Sequence, residues 1–304
     1  MSTRWLTQPE RGNRALIRLI TWMTLRFGRP VTRCFLYPIC LYFVLFSGGT
    51  QRISRDYLRR ILGRPPHWRD VFRHYHAFAS TIHDRVYLLS GRHGYFDIRM
   101  EGATTLRTVL EQKRGCILLG SHLGSFEVLR AHGLFAQQLP ISVVMHEAAA
   151  SNLNAVLHSL QPEIRERIIP PGAADTMLAV KERLDRGELI GILGDRVLGD
   201  ERTTTCEFLG EPRLFPEGPF LLAGLLQVPI VLFFGLYRGG KQYDIHFELL
   251  TNSISLNRDR RSEELRPWIE RYVSRLEHYC RLSPYNWFNF YDRPDDVGPS
   301  PSHV

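Results

Sequence analysis

Residues 115–127 read Gly-Cys-Ile-Leu-Leu-Gly-Ser-His-Leu-Gly-Ser-Phe-Glu, an apolar run followed by a histidine and, five positions later, a glutamate. The run at residues 116–119 is short, apolar and closed by Gly120, which predicts a buried strand. Residues 126–132 predict a helix, and Gly133 is expected to end it. The stretch therefore predicts a strand-to-helix corner of an α/β fold.

His122 and Glu127 are the two groups at this corner that can carry a proton. Ser125 can cap the helix, so that Glu127 lies in its first turn, where the helix dipole favours a carboxylate. The two side chains can then face each other, whereas on one continuous helix they would point about 140° apart. The corner predicts a proton-transfer site, although a single histidine at a strand end is more often structural.

The chain lacks the short motifs that would assign this corner to another chemistry. It contains no His-Glu-x-x-His, Gly-x-Ser-x-Gly, Gly-x-Gly-x-x-Gly or Walker sequence. The five cysteines, Cys34, Cys40, Cys116, Cys206 and Cys280, show no pairing or metal-ligand spacing. We therefore expect no metal, no cofactor and reduced thiols in a protein that faces the cytosol.

Positive charge is concentrated near the N-terminus. The net charge is +8 over 304 residues, but residues 1–70 hold thirteen arginines, no lysine and three acidic residues. A nucleic-acid-binding domain more often mixes lysine with arginine and spreads the excess over its folded body. Here the arginines lie beside two apolar segments, residues 14–27 and 34–46. The pattern predicts an anionic membrane surface as partner, and no nucleic acid.

The segment at residues 34–46 has thirteen residues without a charge, fewer than the roughly 20 that a transmembrane helix needs. Arg33 precedes it and Pro38 interrupts it, so an in-plane or re-entrant anchor fits better. The alternatives are a signal peptide, for which an Ala-x-Ala cleavage site is missing, and an ordinary buried hairpin.

Apolar runs and helical patterns alternate after the corner. Predicted strands cover residues 141–145, 189–193, 228–234 and 243–249, the last as a half-exposed edge strand; predicted helices cover residues 152–160, 173–186, 219–226 and 263–282. The order predicts an α/β fold with a mixed, largely parallel central sheet flanked by helices and an N-terminal membrane-associated helical segment. Ligands gather at the carboxyl ends of such strands, so His122 and Asp195, which each follow a buried strand, should share one edge.

The predicted organisation has three parts. Residues 1–50 form the basic and apolar membrane anchor, and residues 51–293 form one α/β domain. Residues 294–304 are rich in Pro, Ser and Gly, which is typical of a flexible tail.

Several motifs, in order, resemble one family. His122-Leu-Gly-Ser-Phe-Glu127 matches the His-x4-Asp/Glu signature of the lysophospholipid acyltransferase superfamily. Phe208-Leu-Gly210 is similar to the Phe-Phe-Gly block of the lipid A biosynthesis acyltransferases, Val228-Pro-Ile-Val231 resembles the fourth superfamily motif, and Pro284-x-x-Trp287-x-x-Phe290 resembles the closing Pro-x-x-Trp-x-Trp. The similarity runs from about residue 57 to 293 and looks most like the enzymes that add a secondary lauroyl or myristoyl chain.

The resemblance implies transfer of a fatty acyl chain from acyl carrier protein or acyl-CoA to a hydroxyl of a membrane lipid or glycolipid, with late acylation of lipid A as the leading case. The expected location is the cytoplasmic face of a bacterial inner membrane. His122 would be the general base and Glu127 would fix its tautomer. Direct attack creates an oxyanion, which backbone N–H groups around Gly124 or a nearby arginine would stabilise.

The remaining predicted site residues are expected to bind substrate. Arg196, Arg202 and Arg213 are candidates for a phosphate of acceptor or donor, with ordinary solvated arginines as the alternative. The full predicted substrate-binding set is Gly124, Ser125, Asp195, Arg196, Arg202, Phe208, Gly210 and Arg213.

Two departures from the family pattern leave the acceptor open. Phe215-Pro-Glu-Gly218 spells the third motif of glycerolipid acyltransferases but lies only ten residues before Val228, so residues 192–196 take that position instead. His146-Glu147 stands where the lipid A enzymes commonly place an arginine. The alternatives are an acyltransferase for an ornithine lipid or polyene pigment, a thioester or lipid hydrolase, and a non-enzymatic membrane interaction protein.

Overall fold

The computed structural model describes residues 14–112, 114–136, 140–145, 166–172, 175–197, 201–257 and 260–290. The strands are β1 (Asp97–Glu101), β2 (Cys116–Gly120), β3 (Ile141–Val144), β4 (Ile168–Ile169), β5 (Leu189–Leu193), β6 (Thr203–Phe208), β7 (Glu211–Pro216), β8 (Ile230–Gly239) and β9 (Gln242–Thr251). The helices are α1 (Arg14–Phe27), α2 (Arg29–Arg33), α3 (Leu36–Phe46), α4 (Gly48–Leu62), α5 (Trp68–Leu89), α6 (Ala103–Glu111), α7 (Phe126–Ala136), α8 (Thr176–Asp185), α9 (Gly218–Leu226) and α10 (Arg261–Leu282).

Within the described residues, seven strands form one sheet in the order β1-β9-β8-β2-β5-β3-β4. Five of the neighbouring pairs are parallel, and only β8 and β9 run antiparallel. Strands β6 and β7 form a separate antiparallel hairpin. The predicted α/β fold with a mixed, largely parallel sheet is therefore confirmed.

Strand β2 lies at the centre of the sheet and is buried along its whole length. Ile117 and Leu119 belong to a core cluster that α10 covers, while Cys116 and Leu118 belong to a second cluster, beneath α6 and α7. Successive residues of a strand point to opposite faces, so a strand covered on both sides must be apolar throughout. The uninterrupted apolar run before the corner follows from this position.

One predicted helix boundary and one predicted strand position are wrong. Helix α7 continues through Gly133 to Ala136, because glycine inside a helix costs only about 1 kcal/mol and does not oblige the helix to stop. Strand β9 is an interior strand, since β1 pairs with its outer side and is itself the half-exposed edge. The predicted helix at residues 152–160, His146-Glu147 and the tail at residues 294–304 lie outside the described residues.

The N-terminal helices are fixed to the α/β core by a buried ion pair. Arg29 of α2 donates from Nε to Asp84 Oδ1 at 2.6 Å and from Nη2 to Asp84 Oδ2 at 2.8 Å, and the two side chains are 4% and 0% exposed. Tyr243 of β9 donates its hydroxyl to the same carboxylate at 2.8 Å. Arg29 also donates to the carbonyl of Gly240. The start of the apolar segment is thus bonded to α5 and to the turn between β8 and β9.

Replacing Arg29 with methionine should lower the free energy of unfolding by about 3–5 kcal/mol, because it leaves the Asp84 carboxylate buried and uncompensated. Denaturant unfolding in one fixed detergent measures the change. Arg26→Met is the matched control, since Arg26 is an exposed arginine of α1. Equal losses in the two variants would contradict a role for the ion pair in fixing α2.

Helix α3 is packed on one side only. Leu36, Cys40 and Val44, spaced four residues apart, are its buried residues. The large exposed apolar side chains of α1–α3 and their connections are Leu19, Trp22, Phe27, Val31, Phe35, Tyr37, Leu41, Tyr42, Leu45 and Phe46. Among the described residues, Arg29–Phe46 is the one stretch long and apolar enough to cross a membrane by length and composition, and 28% of it is buried.

Candidate active site

The sheet register brings His122 and Asp195 side by side. Strands β2 and β5 are parallel neighbours, and Gly120 pairs with Leu193 as the last residue of each. The Gly194 N–H donates to the Gly120 carbonyl at 3.0 Å, which continues the pairing past the strand ends. His122 and Asp195 each lie two positions beyond the last pair, so equal spacing from the strand ends places them together. This is the shared edge that the strand-end argument predicted.

Asp195 bonds His122 through both the ring and the backbone. The Nδ1 atom lies 2.7 Å from Asp195 Oδ1, and the His122 backbone N–H lies 3.0 Å from each carboxylate oxygen. A carboxylate only accepts hydrogen bonds, so Nδ1 carries the proton and Nε2 keeps its lone pair. The His122 side chain is 25% exposed and the Asp195 side chain 0%. The ring nitrogen able to accept a proton is therefore the one that Asp195 does not engage.

Asp195 is held ionised by its neighbours. Trp287 donates from Nε1 to Asp195 Oδ2 at 2.9 Å, and Asn289 donates from Nδ2 to the Asp195 carbonyl at 3.3 Å. Burial alone would raise the pKa of Asp195, but three effects lower that pKa to about 2: the charge that His122 carries when it is protonated, the hydrogen bonds from His122, and the charge of Arg196. The carboxylate stays charged at neutral pH.

His122 is held neutral. Burial and the nearby charge of Arg196 lower the pKa of the imidazole, and the hydrogen-bonded Asp195 opposes them without reversing the direction. A histidine whose pKa lies below its ordinary value is unprotonated at neutral pH. The ring is therefore in the form that can accept a proton.

Residues 286–289 cross the corner and fix its backbone. The Gly124 N–H donates to the Asn286 carbonyl at 2.8 Å, and the Phe288 N–H donates to the His122 carbonyl at 2.7 Å. On the far side, His74 of α5 lies with Nε2 2.7 Å from the Trp287 carbonyl. The closing motif of the sequence thus positions both the histidine loop and the carboxylate.

Gly124 lies at a close approach between two chain segments. Its φ is +71°, and a Cβ atom there would lie 1.8 Å from the Gly235 carbonyl oxygen, so only glycine fits. The N–H of Ser125 donates to that carbonyl at 2.8 Å. The N–H groups of His122, Gly124 and Ser125 are therefore all bonded within the protein. A backbone oxyanion hole around Gly124, one of the two options predicted, could not use these three donors and stays a prediction.

The predicted contact of Glu127 with His122 is wrong. Glu127 Oε2 instead accepts from Arg130, at 3.0 Å from Nε and 2.8 Å from Nη2. Residues three apart on a helix are neighbours, which explains why Glu127 pairs along α7. The carboxylate that bonds the imidazole is Asp195, which the sequence had assigned to substrate binding.

Three of the predicted substrate-binding residues contact the closing segment, residues 286–289, that positions His122 and Asp195. Arg196 donates from Nη2 to the Phe288 carbonyl at 2.9 Å. The ring of Phe208 lies 5.1 Å from the Trp287 ring, and the Arg213 guanidinium carbon lies 4.6 Å from the centre of the same indole. Phe208 and Arg213 thus contact the residue that bonds Asp195.

The other predicted substrate-binding residues are placed differently. The Arg202 side chain is exposed, and its carbonyl accepts from the Glu217 N–H at 2.9 Å. Gly210 is exposed in the two-residue turn between β6 and β7. The buried Ser125 hydroxyl has no hydrogen-bond partner among the described residues. Substrate contacts for Arg202 and Gly210 stay predictions.

An apolar cavity of about 940 Å³ lies between the N-terminal helices and α5. Met23, Ile39, Phe43, Phe78 and Phe290 are among the side chains that line it. The rings of Phe78 and Phe288 are 5.3 Å apart. The ring of Phe78 therefore lies between this cavity and Phe288, whose N–H bonds the His122 carbonyl.

The sequence alone does not indicate the roles of two residues at the site, Trp287 and Arg85. Trp287 belongs to the quoted closing motif, but its bond to Asp195 depends on how the C-terminal segment crosses the sheet edge. Arg85 of α5 is one of the charges that lower the pKa of His122, yet 37 positions separate the two in the sequence.

The profile of the bacterial lipid A biosynthesis acyltransferase family matches residues 13–292. The match includes the N-terminal helices, the histidine corner and the closing segment. A comparison with the curated proteins found no match.

Proposed function

The chain belongs to the bacterial lipid A biosynthesis acyltransferase family, and we propose that it moves a fatty acyl chain from a thioester donor to a hydroxyl of a lipid A-type acceptor. Membership shows an acyltransferase that acts on lipid A-type substrates. The donor that we propose is acyl carrier protein or acyl-CoA, and the chain is lauroyl or myristoyl.

The observation that carries this proposal is the His122–Asp195 hydrogen bond of 2.7 Å, which leaves Nε2 able to accept a proton. His122 takes the proton of the acceptor hydroxyl as its oxygen attacks the thioester carbonyl. The tetrahedral intermediate collapses when the C–S bond breaks, and the imidazolium returns the proton to the thiolate. Asp195 stabilises the imidazolium and holds its tautomer, as the carboxylate of a serine-hydrolase triad does.

Glu127 acts in this proposal as a positioning residue. Its partner Arg130 is 2% exposed, so removal of Glu127 would leave a buried guanidinium without its ion pair. The pair fixes the first turn of α7, which follows directly from the histidine loop. Its loss should therefore lower both stability and turnover.

The acyl chain of the donor would occupy the apolar cavity beside α5. Each methylene buried there is worth about 0.8 kcal/mol, so a fatty acyl chain has a substantial drive to enter. Phe78 and Phe290 line the cavity, and their rings lie 5.3 Å and 6.4 Å from the ring of Phe288, whose N–H bonds the His122 carbonyl. A chain in this cavity would have its thioester end toward the catalytic corner.

The exposed apolar side chains of α1–α3, with the arginines of the same region, support attachment to the anionic cytoplasmic face of the inner membrane. Replacing Leu45 and Phe46, each 66% exposed, with glutamine should weaken binding to vesicles that contain anionic lipid, with little change in stability. Vesicle flotation at low and high salt measures it. High salt should loosen the unmodified protein without releasing it, because salt screens the arginines and leaves apolar burial intact.

The matched control for this membrane prediction replaces Met177 and Leu178 of α8, which are 43% and 57% exposed. Vesicle binding unchanged by the Leu45 and Phe46 replacements, or lost equally in the control, would contradict attachment through α3.

A direct test incubates the purified protein in detergent with radiolabelled lauroyl thioester, either on acyl carrier protein or on CoA. The acceptor arms are lipid A stripped of its secondary chains, ornithine lipid and no lipid. Labelled lipid A supports the proposal, whereas labelled ornithine lipid alone would assign another acceptor. Release of free fatty acid at the same rate in every arm would identify a hydrolase.

A further inference from the structure

A buried series of hydrogen bonds leads from α4 to the carboxylate that bonds His122. The Ser54 hydroxyl of α4 lies 2.8 Å from His74 Nδ1, and His74 Nε2 lies 2.7 Å from the Trp287 carbonyl oxygen. The Trp287 indole N–H donates to Asp195 Oδ2 at 2.9 Å, and Asp195 Oδ1 lies 2.7 Å from His122 Nδ1. Trp287 therefore joins α4 and α5 to the candidate catalytic pair.

The direction of each bond to His74 is fixed by its partners. A carbonyl oxygen only accepts hydrogen bonds, so His74 Nε2 carries the ring proton and Nδ1 accepts from the Ser54 hydroxyl. Burial lowers the pKa of His74 to about 4, and the bond to the Trp287 carbonyl only partly opposes it, so the ring holds a single proton at neutral pH. Ser54 and His74 are each 1% exposed, so bulk water does not compete for either bond.

Helix α4 also holds the rings of this group in place. The centre of the Tyr57 ring lies 5.0 Å from that of the Trp287 ring and 5.4 Å from that of the His74 ring. Ser54 and Tyr57 are three residues apart on α4, so they lie on the same side of the helix. One face of α4 thus contacts His74 through both a hydroxyl and an aromatic ring.

The Trp287 backbone is the point at which His74 can affect the catalytic pair. A hydrogen bond weakens steeply as its distance and angle depart from the optimum, and catalytic groups need to be held within about 0.5 Å of their productive geometry. A shift of the Trp287 carbonyl would carry the indole N–H away from Asp195. It would also move the next residue, Phe288, whose N–H donates to the His122 carbonyl at 2.7 Å.

We propose that His74 is a positioning residue for acyl transfer: its bond to the Trp287 carbonyl keeps the indole N–H on Asp195, and Ser54 holds His74 in the tautomer that makes this bond. The inference rests on the proposed function above, because it concerns the same histidine and carboxylate. His74 transfers no proton in this role. Its effect on kcat passes through Trp287.

The test is a double-mutant cycle in the lauroyl transfer assay. His74→Leu should lower kcat about tenfold with little change in KM for either substrate, because Asp195 acts on proton transfer and not on binding. Trp287→Phe, which removes the indole N–H, should lower kcat by a similar factor. The variant with both changes should be little slower than Trp287→Phe alone, because the bond through which His74 acts is already lost.

Two further variants test the individual bonds of His74. His74→Gln should recover most of the lost kcat, because its side-chain amide can donate to the Trp287 carbonyl in place of Nε2. Ser54→Ala should lower kcat by a smaller factor than His74→Leu does, since the imidazole remains and loses only the hydroxyl that fixes its tautomer.

His76→Leu is the matched control on the same helix, because the His76 ring packs against Tyr37 and Phe72, and its kcat should be unchanged. Losses that multiply in the double variant would overturn the proposal, and so would normal kcat in His74→Leu. If His74→Leu does not fold, Ser54→Ala and Trp287→Phe form the same cycle. His122→Ala run in parallel separates the two proposals: if it retains activity, the proposed mechanism itself fails, whereas an inactive His122→Ala with multiplying losses in the cycle removes only the role of His74.

Discussion

Replacing His122 with alanine should lower kcat by about 10²–10⁴-fold and change KM little, because the acceptor hydroxyl would lose the base that takes its proton. The side chain is 25% exposed and its loss creates a small space at the cleft wall, so the fold should be retained. Initial rates of lauroyl transfer measure the effect, and thermal melting checks the fold.

His278→Ala is the matched control, since His278 is an exposed histidine of α10. Its kinetic constants should equal those of the unmodified protein. Near-normal transfer by the His122→Ala protein would remove the basis for the mechanism.

The pH dependence follows from the direction of the His122 shift. The neutral imidazole is the active form, and burial with the charge of Arg196 lowers its pKa in the folded protein below the ordinary value of about 6.5. The acidic limb of kcat/KM should therefore fall below that pH, and the enzyme should stay active at mildly acidic pH. The neighbouring Asp195, with a pKa of about 2, stays ionised across this range.

The fold was predictable because burial dictates composition. A strand covered on both faces has to be apolar at every position, and β2 and β5 show this in the sequence as uninterrupted runs. Polar residues that follow such runs lie at the carboxyl edge of the sheet, which located His122 and Asp195 on one rim. No sequence distance enters that argument, so a separation of 73 residues did not obscure it.

The partner of the histidine was not predictable in the same way. Glu127 is five residues from His122 along the chain, and local spacing favoured it. Asp195 is the actual partner because β5 lies directly beside β2 with Gly120 opposite Leu193, and adjacency and register are properties of the assembled sheet. The effect of the Arg85 charge on the pKa of His122 depends similarly on how α5 packs against α7.

The alternation of polar and apolar residues also led to a wrong assignment of β9 as an edge strand. Its residues alternate in polarity like those of an edge strand, but β1, which was not predicted, pairs with its outer side. The polar residues of β9 have partners within the protein: Asp244 pairs with Arg238, Glu248 pairs with Arg275, and His246 Nδ1 lies 3.1 Å from Glu101 Oε2. Their polarity therefore reflects pairing between side chains, which no local pattern reveals.

Replacing Asp195 with asparagine should lower kcat by up to about 10⁴-fold, the scale that a triad shows when its histidine loses the correct tautomer. Asp195 accepts from three donors, the His122 N–H, the His122 ring and the Trp287 indole. An asparagine has one acceptor oxygen, so at least one of those donors would face the amide NH₂ instead. The ring would be driven to place its proton on Nε2, where it could no longer accept one from the acceptor hydroxyl.

Three further variants separate the tautomer effect from a loss of packing. Asp185→Asn is the matched control, because Asp185 is 61% exposed on α8 and its replacement should leave kcat unchanged. Trp287→Phe removes one donor to Asp195 but leaves the carboxylate on His122, so its fall in kcat should be much smaller, on the order of tenfold. Glu127→Gln should reduce melting temperature through its lost ion pair with Arg130 and reduce kcat less than Asp195→Asn does. If instead Asp195→Asn kept normal turnover while Glu127→Gln lost it, the glutamate would be the partner of His122 during the reaction, and the resting contact with Asp195 would be structural.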